Sequence, residues 1–261
     1  MPFNLVAFCE ATPGTGIVPV APGANEQLYN TAGDDLKIPK DTLHVLGVMY
    51  SAISTGARAI LRQPKQIDRD FMRSVIQAGI DQSLGFTDLM ARPITLRNDK
   101  LTVYSVNATD EDTLIGIMLG DGKITQSMKD QVDPTHFIHG FSDTTLAVAS
   151  TWQPIPITWV ETLDAGVYEV ISMRVGVYLA ANLWTALARL SIPGSQTWKP
   201  GVVCNTMGAD HEEYHSCVKE PWADWPLMGI KFDTDHMPNI EMISTSLITD
   251  ENIELGLQKV E

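Results

Sequence analysis

Two tandem antiparallel β-sandwiches, mainly β with one or two short helices in connecting loops, are the fold class predicted by this sequence, on three observations. Short runs rich in β-branched residues, or alternating in polarity, recur between Pro/Gly turns. The chain also repeats itself, because Thr109-Asp110-Glu111-Asp112-Thr113-Leu114-Ile115-Gly116-Ile117 returns as Thr249-Asp250-Glu251-Asn252-Ile253-Glu254-Leu255-Gly256-Leu257. Finally, 44% hydrophobic and 19% charged residues over 261 positions is the composition of a globular protein.

In chain order, the predicted strands cover residues 43–50, 59–62, 101–107, 113–119, 144–151, 155–161, 167–175, 187–192, 226–232 and 240–248. Turn signals punctuate them: Pro13-Gly14, Pro22-Gly23, Gly33-Asp34, Asn98-Asp99, Gly120-Asp121-Gly122, Asp164-Ala165-Gly166, Pro193-Gly194 and Pro200-Gly201. One segment, 67–84, departs from this pattern. There Ile67, Phe71, Met72, Val75, Ile76 and Ile80 recur at helical spacing, with Asp68 and Asp70 near the positive end, which predicts a helix. Residues 178–190 carry both strand and helix signals, and the sequence leaves the choice open.

The echo continues outside the Thr-Asp-Glu segment and keeps its order. Leu43-His44-Val45-Leu46-Gly47-Val48 answers Tyr168-Glu169-Val170-Ile171-Ser172-Met173, and Ala57-Arg58-Ala59 answers Ala188-Arg189-Leu190. Leu101 to Val106 answers Ile240 to Thr245, and Leu89-Met90 answers Leu227-Met228. A unit of roughly 125 to 140 residues is too long for a solenoid repeat and suits an independent domain. The expected division is residues 1–130 and residues 131–261.

A net charge of -14 and pI of about 4.7 argue against a surface built to neutralise phosphates, so no direct nucleic-acid binding is expected. Cys9, Cys204 and Cys217 are too few and odd in number for a disulfide framework, and synthesis in a reducing cytoplasm is the expectation. The uncharged stretch 175–188 falls short of a membrane span and reads as core.

His211-Glu212-Glu213-Tyr214-His215 fits the H-E-x-x-H pattern. On a helix, His211 and His215 would share one face and ligate zinc while Glu212 activates a water. The flanks argue otherwise, since Gly208 and Pro221 leave room for a short helix of little apolar periodicity. A structural zinc on Cys204, His211, His215 and Cys217 is the second metal option. Six tryptophans, Trp152, Trp159, Trp184, Trp198, Trp222 and Trp225, all lie in the second half, where they could form a glycan platform or fill cores and interfaces. His136 and His139 fall where the interdomain connection is expected, and a pH-sensing role is an option there. There is no P-loop and no nucleophile elbow. The reading is therefore non-enzymatic, with no catalytic residue and no cofactor; a zinc hydrolase and a carbohydrate-binding or adhesin-like β protein are the alternatives.

The stretch Ala165-Gly166-Val167-Tyr168-Glu169-Val170-Ile171-Ser172-Met173, then Ala188-Arg189-Leu190, then Pro193-Gly194-Ser195-Gln196-Thr197-Trp198-Lys199-Pro200-Gly201, resembles the coat proteins of tailless icosahedral viruses of bacteria and archaea. The resemblance implies a major capsid protein with two jelly rolls fused in one chain, located in the virion. It also implies a homotrimer with a pseudo-hexagonal outline, and as partners the capsid lattice, other capsid proteins such as a vertex protein, and an underlying membrane. Lys199 stands where that family suggests Arg.

Overall fold

The computed structural model describes residues 3–10, 14–39, 43–52, 58–64, 83–89, 92–107, 112–121, 134–146, 148–178, 186–193, 199–207 and 230–260. The first half contributes ten strands: β1 (Phe3–Glu10), β2 (Gly16–Pro19), β3 (Thr31–Ala32), β4 (Asp35–Lys37), β5 (Leu43–Ala52), β6 (Arg58–Arg62), β7 (Ser83–Asp88), β8 (Ile94–Thr95), β9 (Lys100–Asn107) and β10 (Thr113–Asp121). The second contributes β11 (His136–Ser142), β12 (Gln153–Ile155), β13 (Thr158–Trp159), β14 (Val167–Tyr178), β15 (Ala186–Ser191), β16 (Gly201–Val203), β17 (Asn205–Met207), β18 (Ile230–Asp233), β19 (Asn239–Ser244) and β20 (Asp250–Lys259).

These strands form four sheets. Sheet I is β2-β9-β4-β3, with β6 on the other side of β9, and sheet II is β1-β10-β5-β7, with β8 also on β5. Sheet III is β12-β19-β15-β16, and sheet IV is β13-β11-β20-β14-β17, with β18 also on β14. Within each half the first strand pairs with the last and the second with the one before last, which is the strand order of a jelly roll. All pairings are antiparallel except β14 with β17.

The sheets stack in the order I, II, III, IV. The inward face of sheet I packs on one face of sheet II through Leu36, Leu61, Val103, Phe8, Val48 and Ile117. The opposite face of sheet II, carrying Leu5, Ala7, Met49 and Met118, joins a second core with sheet III and the inner face of sheet IV. Successive residues of β1 therefore alternate between two cores, and both faces of sheet II are buried. That is why β5 and β10 read as near-continuous apolar runs rather than alternating ones. Gly116 on β10 makes the II–III approach possible, because a Cβ there would lie 2.6 Å from Met49 Cγ and 3.2 Å from Leu187 Cδ1.

The duplicated sequence falls on equivalent strands. The matched segments occupy β5 and β14, β6 and β15, β9 and β19, and β10 and β20. Both β5 and β14 carry a bulge, where Leu46 and Ile171 are passed over in the pairing with β10 and β20. Leu46 and Ile171 are also the residues matched in the sequence echo.

Several expectations change. The described residues of 144–151 form no strand, because the segment turns and makes a bridge at Leu146 with Ile248. Residues 155–161 are interrupted after Ile155 by Pro156, leaving the short β12 and β13. The described residues contain no helix; the expected helix at 67–84 lies outside them except for its end, which opens β7. Of the ambiguous segment 178–190, the described part is the end of β14 and most of β15, while 179–185 lies outside. The expected 130/131 boundary also lies outside the described residues.

Candidate functional site

A polar cluster joins the two halves. Arg189 on β15 is fully buried, on the face of sheet III turned toward sheet II. Its Nε donates to Glu241 Oε2 at 2.8 Å, and its Nη1 donates to Glu26 Oε2 at 2.8 Å and to the Leu5 carbonyl at 3.3 Å. The guanidinium carbon lies 3.8 Å from the centre of the Trp152 ring. Lys199 Nζ completes the cluster, donating to Glu241 Oε1 at 2.5 Å and Gln27 Oε1 at 3.2 Å. Its backbone N–H donates to Asn4 Oδ1, and its carbonyl accepts from the Leu5 N–H.

Two cations and two carboxylates thus close on one another between β1, the turn before Tyr29, β15 and β19. Burial by itself would raise the Glu241 pKa, but the Lys199 and Arg189 hydrogen bonds and charges outweigh it and hold the carboxyl below its ordinary value. The backbone reinforces the junction, since Ala24 N–H donates to the Ser150 carbonyl and Trp152 N–H to the Ala24 carbonyl. This cluster fixes how the two sandwiches meet.

A second charge set lies on the outward face of sheet IV. In β11, two aromatic residues face outward although Ile138 on the other face is buried in the second core. Phe137, His139 and Phe141 face outward, with Phe137 49% and Phe141 43% exposed, whereas Gly140 and Ser142 point inward. His139 Nδ1 lies 2.8 Å from Glu161 Oε1, and Nε2 lies 3.1 Å from Glu254 Oε2. His139 N–H donates to Glu161 Oε2 at 2.6 Å, and Arg174 Nη1 donates to Glu254 Oε1 at 2.8 Å. The result is a row Glu161–His139–Glu254–Arg174 crossing three strands, over a shallow cleft of about 250 Å³ that Gly140, Asn252 and Ile253 also line. The Glu161 hydrogen bond, with help from Glu254, raises the His139 pKa above the usual imidazole value. The His139 backbone and ring in turn lower that of Glu161.

Two more buried groups titrate abnormally. Burial pushes the Cys9 thiol up to about 12, which makes it inert as a nucleophile near neutrality. Glu251, fully buried on β20, has no hydrogen-bond partner for either carboxyl oxygen among the described residues. Burial drives it up to about 7; the nearby Ser142 hydroxyl, which does not reach good hydrogen-bond geometry, opposes the rise, and the Asp250 and Asp143 charges add to it.

Of the candidate metal ligands, Cys204 is buried beside β16, while His211, Glu212, His215 and Cys217 lie outside the described residues. No metal-holding cluster occurs among the described residues. Trp152 packs into the junction and Trp159 against the second core; Trp184, Trp198, Trp222 and Trp225 lie outside the described residues. His136 and His139 belong to β11 rather than to a connection. Sequence reasoning passed over the Arg189 cluster although one signal was present: an arginine within the apolar run Ala186–Ser191 needs a buried counter-charge.

The strand order defines a tandem jelly-roll protein. Neither a protein-family model nor a curated protein matches the chain. Among solved structures it is similar to the major capsid protein P2 from bacteriophage PM2, at 8% identity and a TM-score of 0.24, covering 98% of each chain.

Proposed function

We propose that this chain is the major capsid subunit of an icosahedral virus, assembling as trimers of pseudo-hexagonal outline. The observation that carries this is the four-sheet stack. Inside the chain, sheet II of the first sandwich packs on sheet III of the second, while the outer faces of sheets I and IV have no partner sheet among the described residues. Sheet IV is the second-half equivalent of sheet II, and sheet I is the first-half equivalent of sheet III. Setting sheet IV of one copy on sheet I of the next therefore repeats between chains the contact made within each chain. Three copies then present six similar sandwiches in a ring.

The charges on the two faces support this pairing. Sheet I offers the half-buried Arg58 in the same cross-strand row as Val106 and the 56% exposed Ile17. Sheet IV offers Glu161 and Glu254 flanked by Phe137 and Phe141. The halves differ in the same sense: residues 1–130 carry twelve Lys and Arg against fifteen Asp and Glu, residues 131–261 six against seventeen. The two-domain division at 1–130 and 131–261 and the virion location belong to this proposal.

Sedimentation velocity of the full chain tests it, with a trimer as the expected species. Phe141→Asp on sheet IV and Arg58→Glu on sheet I should each leave folded monomers. Mixing the two variants should yield heterodimers and no ring, because one intact contact remains. Recovery of homodimers by either variant alone would contradict head-to-tail assembly.

A further inference from the structure

We propose that His139 is a proton-operated control on the association of one copy of this chain with the next, an inference that rests on the trimer reading above. Both ring nitrogens face carboxylate oxygens, Nδ1 toward Glu161 and Nε2 toward Glu254, and an ionised carboxylate can only accept. The row is fully satisfied when the ring carries both protons. Glu161, His139, Glu254 and Arg174 then sum to zero charge, and the Glu161 oxygens are committed to the His139 backbone and ring. Loss of one proton leaves one ring nitrogen without a hydrogen to donate. One carboxylate is then free to accept from outside, and the row carries a net negative charge.

The charged groups facing the imidazole are Glu161 beyond β13, Glu254 on β20 and, across Glu254, Arg174 on β14. The partner surface, sheet I of a second copy, brings the half-buried Arg58 in a row with the exposed Ile17. A deprotonated row fits that surface better than a protonated one, since a carboxylate released from His139 can accept from the arginine. Phe137 and Phe141 stand on either side of the row and would shield it from water in the contact. Acid closes the row on itself, and alkali turns it outward.

The test is sedimentation equilibrium of the full chain at pH 6 and pH 8.5 on wild type, His139→Gln and His139→Lys. All three should fold, because the His139 side chain is 53% exposed. Wild type should associate about tenfold more tightly at pH 8.5, which is about 1.4 kcal/mol. Gln, neutral throughout, should associate tightly at both values, and Lys, charged throughout, weakly at both. Glu251 titrates in every variant, so its contribution cancels in the comparison. Wild-type pH dependence persisting in His139→Gln overturns the inference, as does a wild-type trimer whose affinity is the same at both values; in either case the trimer stands. Monomers for every variant at both values overturn the trimer reading itself.

Discussion

Arg189 occupies a site where a charge is tolerated only in company. An isolated guanidinium there would be prohibitive to bury, and two carboxylates, a backbone carbonyl and an indole face surround it. Arg189→Met should therefore destabilise the chain by about 3 to 5 kcal/mol, because it leaves Glu26 without its cation. Adding Glu26→Gln should recover a good part of that loss. Urea unfolding midpoints check both, and a loss below about 1 kcal/mol would mean that the cluster does not hold the halves together. Glu251 gives a second residue-scale prediction. Its folded pKa of about 7 lies above the unfolded value of 4.5, so the folded state keeps a proton that the unfolded chain releases. Stability should be fully present below pH 4.5, fall as pH rises through the window, and level off above pH 7. Glu251→Gln should flatten that slope and add on the order of 2 kcal/mol at pH 8. A slope unchanged in the variant, measured by unfolding at pH 5 and pH 8, would contradict this assignment.

The individual strands show what the sequence could reveal. β5, β10 and β14 were legible as β-branched runs because burial on both faces, or on one long face, removes polar interruptions. β1 was missed because a short apolar run with no turn signal before it carries no period to read. β11 was missed because its alternation is blurred: Phe137 and Phe141 lie outside, and of the inward residues Ile138, Gly140 and Ser142 only Ile138 is large and apolar. Arg189 signalled a need for a counter-charge, but its partners were illegible because Glu26 and Glu241 lie 163 and 52 residues away, one near each end of the chain. Duplication was legible at the level of strands and less so in register. By the shared bulge, Met118 is the counterpart of Gly256, whereas the sequence match sets Gly116 there. A two-residue slip keeps every side chain on its own face, so the pattern alone cannot detect it.

At the scale of the molecule, duplication produces two related sandwiches whose junction buries one sheet from each and leaves an outer face at either end of the stack. The stack has two unlike ends, sheet I and sheet IV, on which the proposed ring would close. Head-to-tail contacts either close into rings or grow without limit. Two sandwiches per chain favour closure at three chains when the contact between chains copies the contact within them. Electron cryo-microscopy of the purified oligomer tests this most directly. The account predicts a threefold ring showing six sandwich-sized densities at near-sixfold spacing, with sheet IV of each copy against sheet I of the next. A twofold dimer joined through identical faces, or isolated monomers at high concentration, would contradict it.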